Sequence, residues 1–172
     1  HLLLGLYKAD EGSIFIDGMS YEDREDDIHE LIGSVLLEDL FDEALTLKQN
    51  GHEYGRYYKK YSGATLENYL ERFGLDKNRK YKALSKGEKL KFQFAFALSH
   101  DARLLILDEP TGNFDPGFRK EFFAVLKEFI SDGTRSVLLS THLTEDLDRM
   151  ADYILYMEKG RSIFSGDIEK LR

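Results

Sequence analysis

The sequence of 172 residues contains no cysteine, no tryptophan and only two prolines. Without cysteine it can form no disulfide, no thiolate metal site and no cysteine nucleophile. No apolar run approaches the roughly 18 residues of a membrane-spanning helix; residues 104–107, a clean apolar run, fall far short. No signal peptide is expected from residues 2–6, which are too short for its apolar segment and are followed by no small-residue cleavage site. Basic charge is in deficit: 24 Lys+Arg against 32 Asp+Glu give a net charge of −8. That sign argues against nucleic acid as the main partner, since neutralising phosphates needs a basic surface. With 42% apolar and 33% charged residues, what remains is the composition of one soluble, intracellular globular domain.

The chain opens at His1 inside an apolar stretch, His-Leu-Leu-Leu-Gly-Leu-Tyr, which reads as the tail of a helix begun upstream. Residues 13–17 predict a short strand closed by Gly18, and the acidic residues 21–29 a loop or a single helical turn. A second strand is predicted over 31–36. Two helices follow between Thr46 and Phe73, divided at Ser62-Gly63, with Leu66, Tyr69, Leu70 and Phe73 at helical spacing. Residues 89–99 contain Phe-Gln-Phe-Ala-Phe-Ala-Leu, apolar nearly all round, and predict a buried helix. Buried strands are expected at 104–107 and 136–139, with a helix marked by Phe118, Phe122, Val125, Leu126 and Phe129 between them. A helix over 143–151 and two strands, 153–157 and 162–165, joined at Lys159-Gly160, complete the chain. Strands alternating with helices predict an α/β fold with a mostly parallel sheet. Residues 46–100 are expected to form a separate helical lobe against a core built from 1–45 and 101–172.

Three places carry chemistry. Residues 104–110 place Asp108 and Glu109 at the carboxyl end of a buried strand, the edge where open α/β sheets bind ligands. Asp108 there is a hard oxygen ligand for Mg²⁺, and Glu109 is positioned to orient or deprotonate a water attacking phosphorus. An acidic pair ending a strand in solvent fits the same residues equally well. Residues 84–88, Leu-Ser-Lys-Gly-Glu, offer Ser85 as a helix cap and Gly87 as a point of close approach, either for phosphate or as a plain cap. His142, after Ser140-Thr141, stands at the end of another strand, where it can bond a phosphate oxygen or the attacking water, or serve as an ordinary surface histidine.

Order and spacing join these pieces. Leu84–Glu88, then 104–110, then Thr111-Gly112-Asn113-Phe114-Asp115-Pro116, then Ser140-Thr141-His142 resemble the ATP-binding subunit of an ABC transporter. The first resembles the family's LSGGQ signature, with Lys86 for one Gly and Glu88 for Gln. The second resembles its Walker B strand followed by the catalytic Glu109, the third its D-loop through Asp115, and the last its switch histidine, His142. Residues 12–18 and 157–166 resemble the flanking antiparallel region and the end of the core, so the likeness spans essentially the whole chain. Spacing and helical insert look most like the bacterial ABC-2 type exporters.

The resemblance implies an ATPase that uses Mg²⁺ held at Asp108, with Glu109 and His142 catalytic. Ser85, Gly87, Glu88 and Asp115 would contact the ATP held by a second ABC ATPase domain, paired head to tail as a homo- or heterodimer. Ser85 and Gly87 should then lie on a separate exposed surface, too far from Glu109 of the same chain to share a site with it. It further implies a transmembrane permease subunit and a cytoplasmic position on the inner face of the membrane. Two departures stand out. No Gly-x-x-x-x-Gly-Lys-Ser/Thr loop occurs, so the chain looks cut just downstream of it, and these residues alone are expected to be inactive. Where the family's Q-loop carries Gln stand Leu37 and then Glu38. A soluble ABC ATPase acting on ribosomes or DNA, and a non-catalytic regulatory fragment, remain alternatives. The stretch 54–61, rich in tyrosine and basic residues, reads either as a contact for the membrane subunit or as ordinary packing.

Overall fold

The computed structural model of the chain describes residues 1–143, 145 and 150–168. A single 3-10 turn, Leu2–Leu4, occupies the opening apolar stretch. Next comes a two-residue antiparallel ladder of β1 (Phe15–Ile16) and β2 (Met19–Ser20). Residues 21–29 are not a loop or one turn. They belong to α1 (Tyr21–Leu31), eleven residues long and broken only at Arg24, whose φ of −139° leaves the helical region. Its single buried residue is Ile28, so there is no apolar stripe for periodicity to reveal.

β3 (Ile32–Val35) follows, then α2 (Leu47–Gly55) and α3 (Gly63–Arg72). Thr46 and Gln49 close a capping box on α2, and the Ser62 side chain accepts the Thr65 N–H at the start of α3. α4 (Lys86–Ala97) begins earlier than residue 89, because Ser85 caps it and Glu88 completes a second capping box. The pentapeptide 84–88 is therefore the entry and first turn of the helix, with Ser85 as the cap its sequence suggests. β4 (Leu104–Asp108), α5 (Pro116–Ile130) and β5 (Ser136–Ser140) continue the α/β alternation. Both prolines, Pro110 and Pro116, stand at the first position of a helical segment, where a missing N–H costs nothing. β6 (Tyr153–Glu158) and β7 (Arg161–Asp167) pair antiparallel through Lys159 and Gly160, with φ of 49° and 76°, as a tight hairpin turn requires. The helix expected over 143–151 falls mostly on 144 and 146–149, outside the described residues.

The central sheet has the order β3-β4-β5, all parallel, in the register Val35↔Leu107 and Leu107↔Leu139. β4 is its middle strand, and Leu105, Ile106 and Leu107 are buried as expected. β5 corrects the expectation of a second buried strand. Among the described residues it stands at the edge of this sheet: Val137 and Leu139 face the core, while Leu138 on the other face is 46% exposed. One apolar cluster runs from Leu47, Leu66 and Leu70 through Phe92 and Phe94 to Leu105, Leu107 and Phe122, joining the helices of 46–100 to the sheet. Its centre is a set of interlocked rings, including Phe73 stacked on Phe94 and Phe94 against Phe122 at 4.7 Å. Among the described residues, no helix is long and apolar enough to cross a membrane.

Candidate functional site at the carboxyl edge of the sheet

Parallel strands send their carboxyl ends to the same edge. Here that edge gathers Leu36 after β3, Asp108 and Glu109 from β4, and Ser140 to His142 from β5. The register sets Asp108 directly opposite Ser140. Ser140 Oγ–H donates to Asp108 Oδ1 at 2.5 Å, and the Glu109 N–H reaches both the carbonyl and the hydroxyl oxygen of Ser140 at 3.1 Å.

Glu109 then leaves the strand pleat. Its φ of 46° and ψ of 42° put a non-glycine residue in the left-handed region, at a cost of about 1–2 kcal/mol. Pro110 starts a 3-10 turn, Pro110–Asn113, immediately afterwards. The strained residue holds its carboxylate against His142, whose Nδ1 lies 2.7 Å from Glu109 Oε2. Strain at such a position is commonly tied to function. The imidazole is 72% exposed and the carboxylate 32%, so the pair stands open to water.

Asp108 offers a single carboxylate beside a serine hydroxyl, and no group of three or more His, Asp or Glu placed to hold a metal ion by themselves occurs among the described residues. That donor set suits Mg²⁺, which typically takes one or two carboxylates and completes its shell with water and substrate phosphates.

Among the described residues no hydrogen bond joins Ser85 to Glu109 or His142, yet the first turn of α4 meets the turn that follows Glu109. Ser85 Oγ accepts the Glu88 N–H, and Glu88 accepts the Ser85 N–H at 2.8 Å. Arg79 reaches the same carboxylate at 2.6 Å and, together with the Ser85 amide, holds it below the usual glutamate range. Gly87 abuts the turn after Glu109, since a Cβ there would stand 2.5 Å from the Asn113 carbonyl. Asp115 caps α5 by accepting the Phe118 N–H at 2.9 Å, and Lys91 Nζ donates to its other oxygen at 3.2 Å. The Phe118 amide first, then Lys91, keep the Asp115 carboxyl below its ordinary range. Glu38 is exposed and meets His1, and its backbone carbonyl accepts the Gln93 side-chain amide at 2.9 Å.

In the stretch 54–61, Tyr58 stacks on His100 at 4.0 Å and Tyr61 packs on the core, while Tyr57 remains 74% exposed. Sequence reasoning missed Arg79 and Gln93. Arg79 belongs to no pattern. Gln93 did leave a signal, because a lone amide in an otherwise apolar buried helix must find partners.

The α/β core is shared with solved ATP-binding cassettes. The ATP-binding subunit of an ABC transporter superposes with a TM-score of 0.90 over 99% of this chain and 73% of its own, at 24% identity. A dimeric ATP-binding cassette in a post-hydrolysis state, bound to ADP and Pi, gives a TM-score of 0.83 at 20% identity, over 97% of this chain and 78% of its own. Those likenesses establish the ABC ATPase fold. The family model for ABC transporter matches residues 1–112, and the chain belongs to the ABC transporter ATP-binding family.

An uncharacterized ABC transporter ATP-binding protein, YdbJ of Bacillus subtilis, is 30% identical over 92% of the chain and 52% of its own length. The Nod factor export ATP-binding protein I of Mesorhizobium japonicum is 31% identical over 99% of the chain and 51% of its own length. The chain thus spans about half the length of these curated relatives.

Proposed function

We propose that the chain belongs to the ATP-hydrolysing subunit of an ABC transporter and contributes the water-activating edge of its site. On this reading it pairs head to tail with a second ABC ATPase domain. It drives transport through separate membrane permease subunits from the cytoplasmic face. Export is the favoured direction, supported by the relatives named for Nod factor export. A dimeric cassette and cbiO1 of Clostridium perfringens, part of the transporter complex cbiONQ, support the two kinds of partner. The core of 1–45 and 101–172 and the lobe of 46–100 would be its two working parts.

The observation that carries the reading is the Glu109–His142 contact beside Asp108, at the carboxyl end of the central strand. Glu109 accepts a proton from the attacking water as it closes on the terminal phosphate of ATP. Protonated at Nδ1, His142 donates to Glu109 Oε2 and holds the carboxylate in its left-handed pose, leaving the other carboxylate oxygen for the water. Asp108 would hold Mg²⁺, which when bound neutralises phosphate charge. Ser140 fixes the Asp108 carboxylate by its hydroxyl. Ser85, Gly87 and the α4 N-terminus would face ATP held by the partner domain, with Glu88 neutralised by Arg79 and Asp115 shaping the turn between. Residues 1–172 alone carry no phosphate-cradling loop, and on this reading they neither bind Mg-ATP tightly nor turn it over.

Two substitutions in the natural protein test the assignment. Glu109→Gln should lower turnover by about a hundredfold or more while ATP binding persists, because the base is lost and the shape kept. Asp108→Asn should instead weaken Mg²⁺-dependent ATP binding. Near-normal turnover in Glu109→Gln would remove Glu109 from the role of base.

A further inference from the structure

Gln93 sits in the most apolar part of α4, between Phe92 and Phe94, and is only 2% exposed. Both ends of its carboxamide are used. Oε1 accepts the Leu36 N–H at 2.8 Å, and Nε2 donates to the Glu38 carbonyl at 2.9 Å. These partners are the first residues beyond β3, a segment with no ladder of its own. One turn back on the same face of α4, Lys89 reaches Asp39 at 2.9 Å. Two residues further along that segment, Phe41 sets its ring against Phe92 and Phe96 of α4, at 4.7 Å and 5.2 Å. At the far end of the helix, Gly33 lets α4 close onto β3, where a Cβ would stand 2.9 Å from the Ala97 Cβ.

The same helix touches the chemistry from its other end. Gly87 in its first turn abuts the Asn113 carbonyl, and Lys91 bonds Asp115. Through β3, residue 36 lies beside the end of β4, since Val35 is in register with Leu107. Segments 36–39 and 113–115 flank Asp108 and Glu109, and both are anchored to α4.

We propose that Gln93 is a positioning residue, whose buried carboxamide fastens the exit of β3 to α4 so that the α4 first turn and the carboxyl edge of the sheet move as one unit. The proposal rests on the ATP-hydrolysing reading, because the parts it holds in place are the parts of that site. Without the carboxamide, the buried Leu36 N–H loses its acceptor and the Glu38 carbonyl its donor, which loosens the segment against the helix. Nothing that touches the reacting atoms is removed.

The test uses the natural protein assembled with its partners, as parent, Gln93→Met, Gln93→Glu and Val125→Ala. Val125 is buried on α5 away from these contacts, and its truncation controls for lost stability. Gln93→Met should speed amide exchange by about tenfold or more at 36–39 and also at 85–90, where Val125→Ala does not. Its kcat should fall about tenfold or more, with KM for Mg-ATP within about twofold of the parent. Gln93→Glu should regain turnover as pH is lowered, because a neutral carboxyl accepts from Leu36 and donates to the Glu38 carbonyl, as the amide does. Faster exchange confined to 36–39, a loss of kcat no larger than that of Val125→Ala, or a Gln93→Glu profile without recovery would each overturn the proposal. If the parent turns over no ATP, the ATP-hydrolysing reading falls instead. The exchange pattern alone then decides: spread to 85–90 upholds the coupling and confinement refutes it.

Discussion

The start of α4 and the end of β4 lie close together, yet they are built in opposite ways. At α4 the polar groups are paired within the chain, Ser85 with Glu88, Glu88 with Arg79 and Gln93 with the 36–38 backbone, over a bed of interlocked rings. At the end of β4, Glu109 is held in a left-handed conformation and His142 stands 72% exposed, with Glu109 Oε2 2.7 Å from its Nδ1. The helix spends its side chains on stability. The strand end accepts strain and exposure, and so leaves its side chains open to water.

Breaking the packed side should give the largest effect on stability. Phe94 is wholly buried between Phe73 and Phe122, and Phe94→Ala should cost about 3–5 kcal/mol in urea unfolding. A loss under about 1 kcal/mol would mean that the ring cluster can collapse around the gap.

His100 sharpens the comparison from within the packed side. Burial pushes its imidazole down from 6.5 to about 4, so it is held neutral in the fold. The unfolded chain binds the proton first as pH falls. The stability is therefore intact above about pH 6.5 and is lost progressively toward pH 4, by up to about 3 kcal/mol. His100→Phe should flatten the pH dependence of unfolding in that window by this amount. An unchanged profile would show that the buried ring is not the group responsible.

The smallest stability effect belongs to the strained side. Glu109→Gly relieves the left-handed backbone at the cost of a floppier unfolded chain. Stability should stay within about 1 kcal/mol of the parent, and not below it, while turnover is lost. A clear destabilisation would show that Glu109 holds the fold rather than the reaction.

Local features were legible in the sequence. The apolar run into Asp108 and Glu109, the Ser85 cap and the Lys159-Gly160 turn each state their structure within a few residues. α1 was not legible, because its charged residues bury only Ile28 and leave no stripe. The exposure of Leu138 follows from strand order, which no property of the segment 136–139 encodes. The bonds of Gln93 to Leu36 and Glu38, and of Arg79 to Glu88, join residues that only the fold brings together. At the candidate site, spacing named Asp108, Glu109 and His142, but the left-handed turn and the Ser140 bonds that aim them come from the backbone.

The central claim is that Glu109 and His142 act as one device, and a double-mutant cycle on single-turnover ATP hydrolysis in the natural protein tests it most directly. If His142 works by holding Glu109, then Glu109→Gln with His142→Ala should be no slower than Glu109→Gln alone, to within about twofold. Losses that multiply in the double variant would contradict the account and give the two residues separate tasks.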